Sequence, residues 1–173
     1  MNYRKIIITG PECSGKSTLG KYLSKELGFD YLTESSVKYL NDVKRPYEFS
    51  DLKKIAQLQN QLEIDAMNHS ESTIICDTSF LVLYIWSYVR FGKVGPFIMK
   101  GLGERQNDLY LLCKPDLNWE PGPYRENPHN RTELFNLYLK WLTENEYEFF
   151  VVQGRGEIRY SLARLIVKSK LCL

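Results

Sequence analysis

The sequence lacks the features that mark secreted, membrane-spanning or zinc-binding proteins. No apolar run is long enough to cross a bilayer, and the residues after Met1 lack the apolar core and cleavage site of a signal peptide. The 4 cysteines are far apart and include no C-x-x-C pair, which disfavours a disulfide framework or a zinc site. We therefore expect a cytoplasmic protein with reduced thiols and no membrane partner.

An excess of charge of one sign is also missing. The net charge is +2 over 173 residues. The chain therefore has no broad positive electrostatic potential that would attract a polyanion, and we expect no nucleic-acid partner. The length fits a single domain, residues 1–173, with a small lid. No pattern in the sequence indicates an oligomeric state.

Short β-branched runs alternate with longer amphipathic stretches. This alternation is typical of a parallel sheet flanked by helices, in which ligands bind at the carboxyl ends of the strands. Five strands are predicted at 5–9, 30–33, 72–76, 109–113 and 149–152, and helices at 18–27, from a cap at Ser50 to about 66, from Phe80 onward, from a cap at Thr132 to 141, and at 157–168.

Residues 10–17 read G-P-E-C-S-G-K-S and match the phosphate-binding pattern G-x-x-x-x-G-K-[ST]. Glycines let successive backbone N–H groups surround phosphate oxygens, and the following helix adds its positive end. We predict a P-loop NTPase that uses ATP and Mg2+, with Lys16 acting on the β- and γ-phosphates and the Ser17 hydroxyl binding the metal. The predicted nucleotide-binding residues are Gly10, Glu12, Cys13, Ser14, Gly15, Lys16, Ser17 and Thr18.

Two carboxylates follow predicted strands and are candidate catalytic residues. Asp77 ends the run I-I-C-D, the expected place for a residue that holds Mg2+ or its water; the alternative is a helix cap, which Thr78 or Ser79 can also supply. Glu34 follows the second strand, where it can take the proton of an acceptor hydroxyl or bind the substrate. The alternative interpretation is that Glu34 is an exposed acid at the start of a helix. Which of the two is the general base stays open.

A polar loop at about 118–131 is rich in proline and carries Arg125 and Arg131. Arginines on a closing lid can stabilise the charge of phosphoryl transfer, so both are candidate catalytic residues; the alternative is a solvated surface role. Trp86 is a candidate for stacking on a flat substrate ring, or else a core aromatic. The guanine-reading pattern of GTPases is not met, because Cys113 precedes the Lys114-Pro115-Asp116 run.

Together these segments resemble one family, and the resemblance runs from about residue 6 to 165. The chain is similar to the ribosylnicotinamide kinase module of the bacterial NAD-biosynthesis regulator, the NadR-like AAA-type ATPases. The segments that carry it are G-P-E-C-S-G-K-S-T-L, T-E-S-S-V-K-Y-L, I-A-Q-L-Q-N-Q-L-E, D-T-S-F-L-V-L-Y-I-W and P-D-L-N-W-E-P-G-P-Y-R-E-N-P-H-N-R.

The resemblance implies ATP- and Mg2+-dependent phosphorylation of the ribose hydroxyl of a nucleoside, with Glu34, Asp77, Trp86 and Arg125 facing the site. Nicotinamide riboside is the leading acceptor. The chain departs from the family pattern at Ser79, where an acid is frequent, near Gly122, where family members often have an acid in the lid, and at Lys38, where arginine is usual. Two alternatives stay open: a regulatory ATPase without a small acceptor, and a kinase for another nucleoside, a nucleotide or a sugar.

Overall fold

The computed structural model describes residues 3–173. Within them a five-stranded parallel sheet has the strand order β2-β3-β1-β4-β5. Every residue of the central strand β1 is buried, as expected for a strand covered on both faces. The predicted fold class is confirmed. The strands are β1 (Lys5–Thr9), β2 (Asp30–Leu32), β3 (Ile74–Asp77), β4 (Leu109–Cys113) and β5 (Phe149–Val152).

Helices connect the strands and cover both faces of the sheet. They are α1 (Lys16–Leu27), α2 (Ser36–Val43), α3 (Phe49–His69), α4 (Phe80–Phe91), α5 (Pro96–Gly103), α6 (Arg131–Glu144) and α7 (Glu157–Leu171). Among residues 3–173 no helix combines the length and the apolar character that a membrane span requires.

Two of these helices and several boundaries differ from the sequence prediction. Helices α2 and α5 were not predicted; each spans only 8 residues, too few turns for a clear apolar stripe. The cap of α3 is Glu48 and not Ser50, because Glu48 forms a capping box with Asp51. The cap of α6 is Asn130 and not Thr132. Strand β2 ends at Leu32, β3 begins at Ile74, and α7 continues to Leu171.

Alternate residues of the strands point to opposite faces and form two separate cores. On one face α1 and α7 pack against β1, β3 and β4; on the other, helices α2 to α6 pack. The strand residues on the α1 and α7 side include Ile6, Ile8, Ile75, Leu109 and Leu111, and those on the other side include Ile7, Ile74, Cys76, Tyr110 and Leu112.

A buried network of charges joins α3 to the start of the sheet. Lys5 Nζ lies 3.0 Å from Glu63 Oε2 and 3.0 Å from Asp108 Oδ2, and Arg105 Nη2 lies 2.9 Å from the same Glu63 oxygen. The Ser79 hydroxyl donates to Glu63 Oε1 at 3.4 Å. Ser79 thus faces this network, and an acid there would add a third buried carboxylate to Glu63 and Asp108, which is unfavourable.

Candidate active site

The carboxyl ends of the strands open into a cleft of about 1260 Å³. The cleft is lined by the phosphate-binding loop, residues 10–18, together with Glu34 and Thr78. One face of α4 and the lid complete the lining. The α4 residues that line it are Val82, Ile85, Trp86, Val89 and Arg90.

The phosphate-binding loop is curved by residues in left-handed backbone conformations. Gly10 has φ 132°, and a Cβ there would lie 2.6 Å from the Cys113 carbonyl oxygen, so no other residue fits. Gly15 (φ 80°) and Cys13 (φ 53°) complete the turn into α1. The Lys16 ammonium donates to the Pro11 carbonyl at 2.8 Å and so lies over the loop. The eight predicted nucleotide-binding residues all line the cleft.

Arg159 of α7 hydrogen-bonds the backbone of the phosphate-binding loop. The sequence analysis did not identify this role. Its side chain is 2% exposed. Its guanidinium donates to the carbonyl oxygens of Ser14 (2.7 Å), Gly154 (2.8 Å) and Lys114 (3.0 Å) and pairs with the Asp116 carboxylate. The run Lys114-Pro115-Asp116 therefore holds Arg159 in place. In the sequence only Asp116, directly after β4, indicates this contact, and Arg159 lies more than forty positions further along the chain.

Asp77 lies at the tip of β3 and is 3% exposed. The Tyr31 hydroxyl donates to Asp77 Oδ2 at 2.8 Å, and the pKa of Tyr31 is raised by burial and by Asp77, so the phenol stays a donor. No group within residues 3–173 hydrogen-bonds Asp77 Oδ1, which is buried. The cap of α4 is Ser79 and not Asp77. An unpaired carboxylate oxygen fits Mg2+, which prefers oxygen ligands.

Glu34 lines the cleft beside the phosphate-binding loop. Burial raises its pKa above the ordinary glutamate value, Asp77 adds to this, and Lys16 and a hydrogen bond from Ser36 oppose it. Helix α2 begins two residues later, at Ser36, with Ser35 as its cap. Lys16 and Glu34 thus line the same cleft, and Asp77, which does not line it, is close enough to Glu34 to affect its pKa; the sequence analysis selected the three separately.

A chain of hydrogen bonds fixes the position of the Trp86 indole ring. Its indole Nε1–H donates to the Tyr47 hydroxyl at 3.0 Å, and that hydroxyl donates to Glu126 Oε2 at 2.9 Å. The rings of Tyr47 and Trp86 meet edge to face with centroids 4.9 Å apart. Trp86 is half-buried and lines the cleft, so part of the ring is open to a ligand. Tyr47 was not predicted, because nothing in its loop sequence signals a partner on α4.

Residues 118–130 form no helix or strand and close over the phosphate-binding loop. The Glu12 carboxylate accepts the backbone N–H groups of Glu126 (3.1 Å) and Asn127. The Cys13 thiol donates to the Glu120 carbonyl at 3.4 Å. Tyr124 reaches α2, where its hydroxyl donates to Asn41 Oδ1 at 2.9 Å. The lid therefore contacts both the nucleotide end and the helical side of the cleft.

The two candidate lid arginines occupy different positions. Arg125 is exposed, lines the cleft and donates to the Glu120 carbonyl within the lid at 2.7 Å. Arg131 begins α6 and donates to the carbonyl oxygens of Cys13 (3.3 Å) and Leu117 (3.0 Å). In this conformation Arg131 joins the base of the lid to the phosphate-binding loop, whereas Arg125 has donors available to a ligand in the cleft.

The fold and the phosphate-binding loop agree with a family model. A model described as an AAA domain matches residues 5–159, most of the chain. The chain belongs to this AAA domain family. The resemblance found in the sequence motifs is thereby confirmed at the level of family and fold.

Solved structures of P-loop proteins resemble this AAA domain. A NadR protein in complex with NR is 16% identical, with a TM-score of 0.83, over 99% of this chain and 52% of that chain. A NadR protein in complex with NAD and AMP-PNP is also 16% identical, with a TM-score of 0.79, over 99% of this chain and 50% of that one. The AAA domain thus spans about half the length of the NadR chains that it matches.

Two shorter kinases match along nearly their whole length. Deoxyadenosine kinase from M. mycoides is 20% identical, with a TM-score of 0.65, over 95% of this chain and 99% of that chain. Thymidylate kinase from Ehrlichia chaffeensis is 14% identical, with a TM-score of 0.65, over 99% and 100%. At these identities the likeness establishes that the AAA domain has the P-loop kinase fold.

Proposed function

We propose that this protein transfers the terminal phosphate of ATP, with Mg2+, to a hydroxyl of a nucleoside-like acceptor, and that nicotinamide riboside is the leading acceptor. The observation that carries the proposal is the composition of the cleft. The cleft is lined by the phosphate-binding loop and the Glu34 carboxylate, and also by an apolar face of α4 with the partly open indole of Trp86. Such a cleft suits one ligand rich in phosphate and a second with a flat ring.

The phosphate end provides the groups that phosphoryl transfer needs. Lys16 and the backbone N–H groups of the loop would bind the β- and γ-phosphates. Ser17 and Asp77 would hold Mg2+, which offsets the negative charge of the phosphates when bound. Arg125, on the lid, would approach the oxygens of the transferred group and stabilise their charge. Arg131 would act through the lid's attachment to the loop.

Glu34 would serve as the base for the acceptor. The acceptor oxygen forms a bond to the γ-phosphorus, the bond from that phosphorus to the β–γ bridging oxygen breaks, and ADP leaves with the electron pair. The proton of the acceptor hydroxyl passes to the Glu34 carboxylate. The NadR structure in complex with NR supports the choice of acceptor, and the Trp86 ring supports a flat base on it.

The proposal is tested by the rate of ADP formation with a panel of acceptors. The panel contains nicotinamide riboside, adenosine, deoxyadenosine, a nucleoside monophosphate, ribose and no acceptor. We expect nicotinamide riboside to give the highest kcat/KM, and Lys16→Ala to remove this activity. Lys21→Ala, an exposed lysine on the same helix, is the matched control and should retain it.

The panel also separates the alternatives. A higher kcat/KM for another member would replace nicotinamide riboside as the acceptor and leave the reaction class intact. ADP formation that is slow and the same with every acceptor would contradict the kinase proposal and favour a regulatory ATPase. Unchanged Mg-ATP affinity and turnover in Lys16→Ala would contradict the assignment of the phosphate-binding loop.

A further inference from the structure

The two oxygens of the Asp77 carboxylate have different surroundings. Oδ2 accepts a hydrogen bond from the Tyr31 hydroxyl at 2.8 Å. Oδ1 is buried and has no hydrogen-bond partner among residues 3–173. A buried carboxylate oxygen without a partner is costly unless a ligand satisfies it. The hydrogen bond to Oδ2 fixes the carboxylate so that the other oxygen is kept for that ligand.

Tyr31 reaches Asp77 because the sequence leaves room for its ring beside the phosphate-binding helix. Strand β2 pairs with β3, with Tyr31 opposite Ile75. The ring packs over Gly20 of α1, where an added Cβ would lie 2.6 Å from Tyr31 Cε2 and 3.3 Å from Ile8 Cδ1. Any larger residue at position 20 would therefore displace the ring.

The Tyr31 phenol is also a neighbour of the other proposed metal ligand. The Ser17 hydroxyl, which follows Lys16 at the start of α1, is close enough to the phenol to oppose the rise in its pKa. One side chain on β2 thus hydrogen-bonds Asp77 of β3 and lies near Ser17 of α1, the two groups proposed to hold Mg2+. Groups that orient metal ligands in this way typically change metal affinity by 10–100-fold when removed.

We propose that Tyr31 is a positioning residue that orients Asp77, and with it Ser17, for binding the Mg2+ of the Mg-nucleotide complex. This inference rests on the proposed function, since it concerns the metal that accompanies ATP. Gly20 is part of the same arrangement because it admits the ring. Tyr31 does not itself touch the phosphates or the acceptor in this assignment.

The test is a calorimetric titration of ATP into wild type and Tyr31→Phe, over a series of Mg2+ concentrations and in EDTA. The phenylalanine ring keeps the packing against Gly20 and removes only the hydroxyl. We expect the Mg2+ concentration for half-maximal nucleotide affinity to rise by about tenfold, with affinity in EDTA unchanged. Tyr22→Phe, which removes a phenol of α1 that stacks on Tyr160 of α7, is the control and should behave as wild type.

A second variant tests the packing. Gly20→Ala retains the hydroxyl but displaces the ring, so it should also shift the Mg2+ dependence, and circular dichroism should report a folded protein. The inference is overturned if Tyr31→Phe has the Mg2+ dependence of wild type, or if it weakens binding equally in EDTA. Failure of the proposed Mg-nucleotide site, on which the inference rests, is recognised separately: wild type itself would then show no Mg2+-dependent nucleotide binding.

Discussion

At the scale of single residues, the reactivity assigned to the site depends on burial that the sequence does not display. Glu34 was selected because it follows a strand, yet its raised pKa comes chiefly from burial in the finished cleft. Asp77 was selected in the same way, and the feature that makes it fit for a metal, one paired and one unpaired oxygen, requires Tyr31 from another strand. Position along the chain identifies the carboxylates, whereas their surroundings decide their chemistry.

The raised pKa of Glu34 leads to a prediction about pH. A base must be ionised to act, so kcat should fall as pH decreases through the pKa of Glu34, and this fall should begin at a higher pH than for an ordinary glutamate. Glu34→Gln should lower kcat by about a hundredfold or more, because the amide cannot take the proton. Its residual activity should lack the acidic fall.

The measurement is kcat against pH with an acceptor that is turned over, for wild type, Glu34→Gln and the control Glu104→Gln. Glu104 lies on the surface beside Lys100, and its variant should follow the wild-type profile. Full kcat in Glu34→Gln, or an acidic fall that persists in it, would show that another group accepts the proton, with Asp77 the next candidate.

At the scale of elements, the lid is attached to the rest of the protein at several points. One of these attachments uses Arg131, whereas none within residues 3–173 uses Arg125. Glu12 holds the backbone at Glu126 and Asn127, and Arg131 holds the loop at Cys13. Glu126 in turn accepts the hydrogen bond from Tyr47 that orients Trp86. The lid therefore connects the phosphate-binding loop to Trp86 on α4 through Tyr47. Sequence alone marks the lid by its prolines and arginines but shows none of these attachments.

The position of Arg125 predicts an effect on turnover more than on binding. Its guanidinium contacts only the lid backbone at Glu120 among the hydrogen bonds of residues 3–173, and interactions made mainly in the transition state lower kcat when removed. Arg125→Ala should therefore lower kcat by about a hundredfold and change Mg-ATP affinity only modestly. Steady-state kinetics and calorimetry measure the two quantities.

Arg164→Ala is the matched control, because Arg164 pairs with Glu26 on the surface away from the lid. It should leave both kcat and affinity unchanged. If Arg125→Ala kept full kcat, the lid would cover the cleft without stabilising the transferred phosphate. An equal loss in affinity and in kcat/KM would instead assign Arg125 to ground-state binding of the nucleotide.

At the scale of the whole molecule, the sequence predicts the parallel sheet and the long helices because their periodicity is local. The strands β1, β3 and β4 were found because each is a short buried run, and the helices α1, α3 and α4 because each is long enough for an apolar stripe. The strand order was not predicted, since it depends on which crossovers place β1 between β3 and β4.

Contacts between distant segments were the other part that the sequence could not supply. Arg159 pairs with Asp116 and supports the phosphate-binding loop, Tyr47 orients Trp86, and Ser79 turns toward Glu63. Each pair joins residues on different elements and is produced only when the two cores have formed. The candidate site was therefore predictable as a set of residues, and not as an arrangement of atoms.

The central claim is that the terminal phosphate of ATP moves to a nucleoside-like acceptor, and the most direct measurement follows that phosphate. The protein is incubated with Mg2+, nicotinamide riboside and ATP that carries a radioactive terminal phosphate, and the products are separated. The account predicts that the label appears in the monophosphate of nicotinamide riboside faster than in inorganic phosphate, and that Lys16→Ala abolishes the transfer. Label released only as inorganic phosphate, at a rate that is the same with or without a nucleoside, would contradict it.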